Sequence, residues 1–480
     1  MPVVPINLGV QSRKDRHNDN ARLVNCFAES AGEGGKVQYP IYADYGLKRF
    51  LALPYGAAIR GAISVRDDAL GVEFLYVVSG NNLFKISKDG AYNLLPISIA
   101  EGRLTMASNG KLPFPEIAIC VNGIAYLVQT DLLDDNDTYQ LISDVDLPAP
   151  NSVEEVGGYF LFTTSGGTFH LSNLNDGLNY EAIDSNAADV SPDGILVSKR
   201  LSEGRMLIFG PKSIESWRHT GDEGFPLERD IGSTIQYGTY SPDSIAKYQE
   251  YLGFVSSDGV VRLLTSGGSR TISTTSVQDD ISSVDLKSIK GTFYSIEGQK
   301  FYCISSDEWT WKYSLDTGLW HENKSYNQNR WRGGISVEFN GKTLIGDFRD
   351  SRLYELSSNY HQEDDEPLIM ELSSPDQQAF PSRYRCNALF LDIQTATGIQ
   401  TNDAHNYEPK AMVQYSDDSG RSWSNEKTVE IGRIGETKKR VRLRRLGLCK
   451  TGARSWRISV AANVAKGIYQ ASADITQLGA

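Results

Sequence analysis

Seven stretches of this chain share one pattern: a run of alternating aromatic and β-branched residues, a turn carrying Gly or Asp, and a second such run. They read EFLYVVSGNNLFKIS from Glu73, EIAICVNGIAYLVQ from Glu116, GYFLFTTSGGTFHLS from Gly158 and GRMLIFGPKSIESWR from Gly204. EYLGFVSSDGVVRLL from Glu250, GTFYSIEGQKFYCIS from Gly291 and GKTLIGDFRDSRLYELS from Gly341 complete the series. The turn glycines Gly80, Gly123, Gly166 and Gly210 are 43, 43 and 44 residues apart, and Gly259 and Gly298 follow at 49 and 39. Period-2 alternation around such a turn is a β-hairpin, and a hairpin recurring at this spacing marks the blades of a β-propeller. One blade leaves both sheet faces bare, so blades must stack and the ring must close.

We therefore expect an all-β chain with a β-propeller of about seven blades over residues 51–360. Residues 1–50 form an N-terminal arm, whose segment Lys36 to Phe50 can supply a closing strand. The acidic run HQEDDEP, within 361–371, reads as a linker, because four carboxylates and a proline suit no buried strand. From 372 to 480, NALFLDIQT, KAMVQYS and SWRISVAA alternate like the strands of a small β-sandwich. A row of stacked sandwiches is the rival architecture, but nothing between the repeats resembles a linker.

Composition agrees, with 44 Gly and 24 Tyr against 5 Met, a balance that favours strands and tight turns. Five scattered cysteines with no CxxC spacing point to free buried thiols and synthesis in a reducing cytoplasm. The opening MPVVPINLGVQSRKDRHNDN has two early prolines and no apolar core, so no signal peptide is expected. No run of eighteen apolar residues is present to span a bilayer.

The formal charge of −12 is unevenly placed. In ETKKRVRLRRLGLCK, six basic residues crowd together: Lys438, Lys439, Arg440, Arg442, Arg444 and Arg445. On a strand Arg440, Arg442 and Arg444 share one face while Val441 and Leu443 face the core. Residues 431–457 carry +9, leaving −21 on the rest of the chain. Such a stripe repels itself unless it meets DNA phosphate or an acidic protein surface, or unless the fold supplies acidic neighbours. No aromatic residue interleaves the six, so a DNA contact would reach the backbone without sequence preference.

Ser416, Asp418, Gly420 and Trp423 have the spacing of an Asp-box. Sialidases carry several copies, but a single copy is a turn device with no catalytic group. DLLDDNDT at Asp131 lacks the glycine and distal glutamate of a calcium loop, and GGISVEFNGKT at Gly333 lacks the first glycine of a phosphate loop. The histidines show no metal-ligand spacing and no GxSxG is present. No cofactor is expected. Propeller glycosidases assemble carboxylates from distant blades, which spacing does not reveal.

The stretch VQYSDDSGRSWSNEKTVEIGRIGETKKRVRLRRLG resembles the ending shared by packaged DNA stabilisation proteins, the tail hub proteins of short-tailed phages, with Leu443 where the family has tryptophan. Shorter matches are RLVNCFAES, YPIYADYGLKRF, GRLTMASNG at Gly102, SPDGI at Ser191 and KSIESWRHTG at Lys212; the Pro-Gly of the family is replaced by Asp44 and Tyr45 before Gly46. The resemblance implies a non-enzymatic virion protein, made in the bacterial cytoplasm and placed in the tail. Such proteins form a hexameric ring beneath the portal and head-to-tail adaptor, retain packaged DNA, carry the tail needle or tip and help to mount tailspikes. The alternative is a host-surface glycan-binding or glycan-degrading propeller protein, of the tailspike or glycosidase class.

Overall fold

The computed structural model describes residues 3–4, 21–32, 34–35, 37–133, 136–188, 194–222, 224–379 and 381–478. Most of the opening twenty residues, Lys36, part of the Asp131 cluster and Ser191–Asp193 of the SPDGI motif lie outside them.

Each repeat hairpin supplies middle strands of a four-stranded antiparallel sheet, here called a blade. Blade I comprises Ile59–Asp67, Val72–Ser79, Asn82–Ile86 and Tyr92–Ser98, and blade II Leu104–Ser108, Glu116–Val121, Ile124–Gln129 and Thr138–Leu141. Blades III, IV and V begin at Pro150–Val156, Val197–Ser202 and Ala246–Tyr248. Blade VI runs from Lys290–Ile296 to Trp320–Glu322. Blade VII joins Gly333–Phe339, Lys342–Asp347 and Arg352–Ser357 to the N-terminal strand Gly46–Ala52, which closes the ring.

Burial explains why the repeats are apolar on alternate and on adjacent positions. In Glu116–Val121 every residue is buried, because a middle strand is covered on both faces by neighbouring blades. Seven apolar clusters fill the seven gaps between consecutive blades, and the one between blades VII and I, including Ile59, Leu75, Leu344 and Leu353, seals the ring. The turn glycines are not equivalent. Gly80, Gly123, Gly259 and Gly298 take the left-handed backbone, whereas in blade III that residue is Gly167 rather than Gly166.

The N-terminal arm is not a separate element. Arg22–Val24 lies between the last strand of blade VI and Met370–Ser373. Pairing then passes to Ala453–Val460, Lys410–Ser416 and Lys427–Glu430, so one sheet runs from the propeller into the sandwich. Cys26–Ala28 and Ile41–Ala43 belong to the opposite sandwich sheet, with Gly467–Leu478, Arg383–Ile393 and Val441–Arg444. A core including Leu389, Leu443, Trp456 and Ile458 fills the space between the sheets.

The acidic run read as a linker is a hairpin, Gln362–Glu363 with Glu366–Pro367, packed on the closing strand through Leu47. Two of its carboxylates are closely matched, Asp364 by Arg49 at 2.5 Å and Glu366 by Arg332 at 2.5 Å, while Asp365 faces solvent. Glu363 is buried 3.6 Å from Arg332, and burial pushes its carboxyl up to about 7.

Polar groups buried at the junction tie the two domains together. Asp44 accepts both hydrogen bonds of the Lys312 ammonium, at 2.5 and 2.6 Å, and one from Asn323 at 2.5 Å. Burial opposes the Asp44 charge, yet the Lys312 ammonium outweighs it and holds the carboxyl below its ordinary value. Asn25 donates to the carbonyls of Lys324 and Ile369, one on each domain. Such a junction makes the sandwich a rigid extension of the propeller.

Candidate functional site

Strand Val441–Arg444 is the edge of its sheet, paired on one side with Arg383–Ile393. Val441 and Leu443 enter the sandwich core, and Arg442 and Arg444 are exposed on the outer face. Arg440 precedes the strand and, with Lys439, lines a groove of about 590 Å³ beside Asp392, Thr437 and Tyr469. Lys438 and Arg445 are exposed, and Arg445 occupies a left-handed turn at the end of the strand.

The ten basic residues of 431–457 divide into two groups. Arg454 is fully buried against Asp417 at 2.6 and 2.8 Å, with its guanidinium 4.0 Å from the Tyr415 ring. Arg457 covers Trp423 and lies 3.6 Å from Glu371. Arg433 pairs with Glu408 and Glu436. Lys439 binds Glu430 at 2.8 Å, which raises its pKa, and reaches Glu436 at 3.4 Å. Among the described residues, Lys438, Arg440, Arg442, Arg444, Arg445 and Lys450 have no carboxylate within salt-bridge distance. The fold thus supplies acidic neighbours for part of the stripe and leaves its exposed part unmatched.

Two cations were not singled out from the sequence. Arg383 and Arg385 are exposed on the neighbouring strand, while Tyr384 between them and Cys386 enter the core. The signal was available in the alternation of RYRC, but only the pairing of Ala388 with Arg444 places it beside the stripe. Arg442 lies 4.7 Å over the Phe390 ring, a contact that steadies its guanidinium plane.

The Asp-box residues form a closed turn. Ser416 Oγ accepts from the Gly420 N–H at 2.8 Å, and Asp418 accepts from the Ser422 N–H at 2.8 Å and the Ser422 hydroxyl at 2.5 Å. Those bonds hold the Asp418 carboxyl down at about 2. Trp423 packs under Arg457, so every group of the motif is occupied by the turn itself.

At one mouth of the propeller most carboxylates are similarly engaged, with Glu338 exposed beside them. Glu73 accepts from Ser64 and from the Asn340 N–H, Glu297 accepts from Ser358, and Glu355 pairs with Lys342 at 2.7 Å. The five cysteines are free and buried. Among the described residues no cluster of His, Cys, Asp and Glu is arranged to hold a metal ion, and no helix is long and apolar enough to cross a membrane.

A closed propeller fused to a sandwich, with an unmatched cationic face, defines an all-β protein of the propeller-and-sandwich class. Family models described as "Bacteriophage P22 Gp10, beta-propeller" and "Bacteriophage P22 Gp10, beta-sandwich" match residues 3–361 and 380–476. The chain belongs to this family of phage packaged-DNA stabilisation proteins, virion structural proteins of tailed phages. No curated protein matches it. Among solved structures, the WD40 propeller domain of Doa1 is 14% identical at a TM-score of 0.41, covering 65% of this chain and 97% of that one. Virginiamycin B lyase from Staphylococcus aureus is 14% identical at 0.45, covering 65% and 99%. The designed protein Ika8 is 9% identical at 0.39, covering 73% and 100%. Likenesses this weak say nothing about function.

Proposed function

We propose that this chain is a non-enzymatic tail hub subunit. It forms a closed ring of copies below the portal and adaptor, shuts the exit channel on packaged DNA, and mounts the distal tail parts. The observation that carries this reading is the unmatched cationic face around Arg440, Arg442 and Arg444, held on a sandwich that shares one sheet with the propeller. Unpaired guanidinium groups on a rigid edge suit docking against a polyanionic surface, either an acidic adaptor or DNA phosphate.

The test is the triple variant R440A/R442A/R444A, assembled into particles and scored for encapsidated DNA. Exposed and unpaired, these residues leave the fold intact when removed, with a stability change within about 0.5 kcal/mol for each. Heads that package and then lose DNA, or that fail to take up the hub, support the proposal. Normal infectious yield refutes it. If the face grips DNA directly, losing three phosphate contacts flattens the log–log salt slope of binding by about 3.

A further inference from the structure

The propeller's tunnel narrows to an inner cavity of about 400 Å³ to which all seven blades contribute, from Arg60 of blade I to Ser336 of blade VII. Four cations, Arg60, Lys199, Arg200 and Lys247, and one carboxylate, Glu154, line it. Arg60 is spent on the carbonyls of Gly80, Ala100 and Gly102, at 2.8 Å each. Lys199 is matched by Glu154 at 3.1 Å, and Arg200 by Glu155. Among the described residues Lys247 has neither a carboxylate nor a hydrogen-bond acceptor in reach. Half-buried beside two other cations, it lies in the field of Glu154 and Glu155, which already pair with those cations. Burial first, then Arg200, lower its pKa, and the two carboxylates offset only part of this.

The nearby hydroxyls do not serve it, since Thr292 donates to Ser336 and Ser336 to the Phe293 carbonyl. At one end, Arg103 of blade II reaches across the ring to Asp243 ahead of blade V, at 2.5 Å. At the other, adjoining cavities of about 340 and 730 Å³ lead out past Tyr248 and Glu338. The cavity is therefore an open stretch of the tunnel reached from that side, of a size that holds a small ligand.

We propose that this pocket is an oxyanion site, in which Lys247, with Lys199 and Arg200 beside it, holds a phosphate or carboxylate group. Four cations face the one lining carboxylate of Glu154, with Glu155 paired to Arg200, so the cavity holds an excess of positive charge that attracts an anion, and Lys199, Arg200 and Lys247 converge only once the ring has closed.

The experiment is thermal melting of the full chain against inorganic phosphate, with chloride at matched ionic strength as control and acetate as a second probe. The expected result is a saturable rise in melting temperature with phosphate, and at least tenfold weaker apparent affinity in K247M. K247Q, which keeps a polar side chain, provides the same comparison should K247M fold poorly. The R440A/R442A/R444A variant should respond like the parent. An equal rise in chloride, unchanged affinity in both Lys247 variants, or loss of the effect in the triple arginine variant overturns the proposal. A rise with acetate as well identifies a carboxylate, as on a partner's chain; a rise with phosphate alone identifies a free phosphate-type anion.

Discussion

Lys312→Met tests whether the N-terminal arm is locked to blade VI by charge. The Lys312 ammonium and the Asp44 carboxylate are both buried, and removing the ammonium leaves the carboxylate with hydrogen bonds from Asn323 and the Tyr45 N–H but no cation beside it. His321 is pushed down to about 3 by burial first and then by Lys312, against the pull of Asp44, so K312M removes only the smaller of the two depressing causes. Breaking a buried pair from one side costs about 3–5 kcal/mol. The whole chain need not melt as one unit, so the assay is native-state hydrogen exchange at Arg22–Val24 and Gly46–Ala52, the strands that Asp44 lies between. At 1.4 kcal/mol per tenfold, exchange there should quicken by roughly two to four orders of magnitude. D44N/K312M, which removes both charges, should recover much of the loss, because no buried ion remains. Asp44 is held below its unfolded value of 3.8, so its contribution is complete above that pH and disappears as pH falls through the lower folded value. K312M should lack that acid-dependent step. Wild-type exchange in K312M, or a double variant no better than the single, would refute the reasoning.

Two further outcomes test the junction and the closure. Lys466 is buried and, among the described residues, donates only to the Leu368 carbonyl, and burial lowers its pKa to about 7; since the unfolded lysine binds its proton more tightly, stability should rise between pH 7 and about 10.5. K466M should melt higher than the parent at pH 7 and lose that rise. At Gly46 a Cβ would overlap the Tyr360 carbonyl oxygen, so G46A should force the closing strand from Arg352–Ser357, costing about 1–3 kcal/mol in denaturant melts.

The buried junction also bears on how the proposed hub would transmit load. Its sandwich is not hung on a linker; it shares a sheet with blade VI, and its charges and amides are matched across the domains. A face docked through Arg442 and Arg444 is thus fixed relative to the propeller.

The sequence by itself determined what depends on neighbouring residues. Period-2 alternation and turn glycines made the blade hairpins and the propeller legible, because a strand's two faces are set residue by residue. The same alternation sent Val441 and Leu443 inward and left Arg442 and Arg444 outside. Only the tertiary structure decided what depends on partners far along the chain. Arg22 meets Glu322 and Asp44 meets Lys312 across some three hundred residues, so nothing local showed that the arm would be divided between two domains. The acidic run became a packed hairpin because Arg49, Arg332 and Arg352 neutralise it, and a carboxylate's burial is set by the cations around it rather than by its own composition. Lys199, Arg200 and Lys247 became a cluster because ring closure brings the inner strands of separate blades around one cavity.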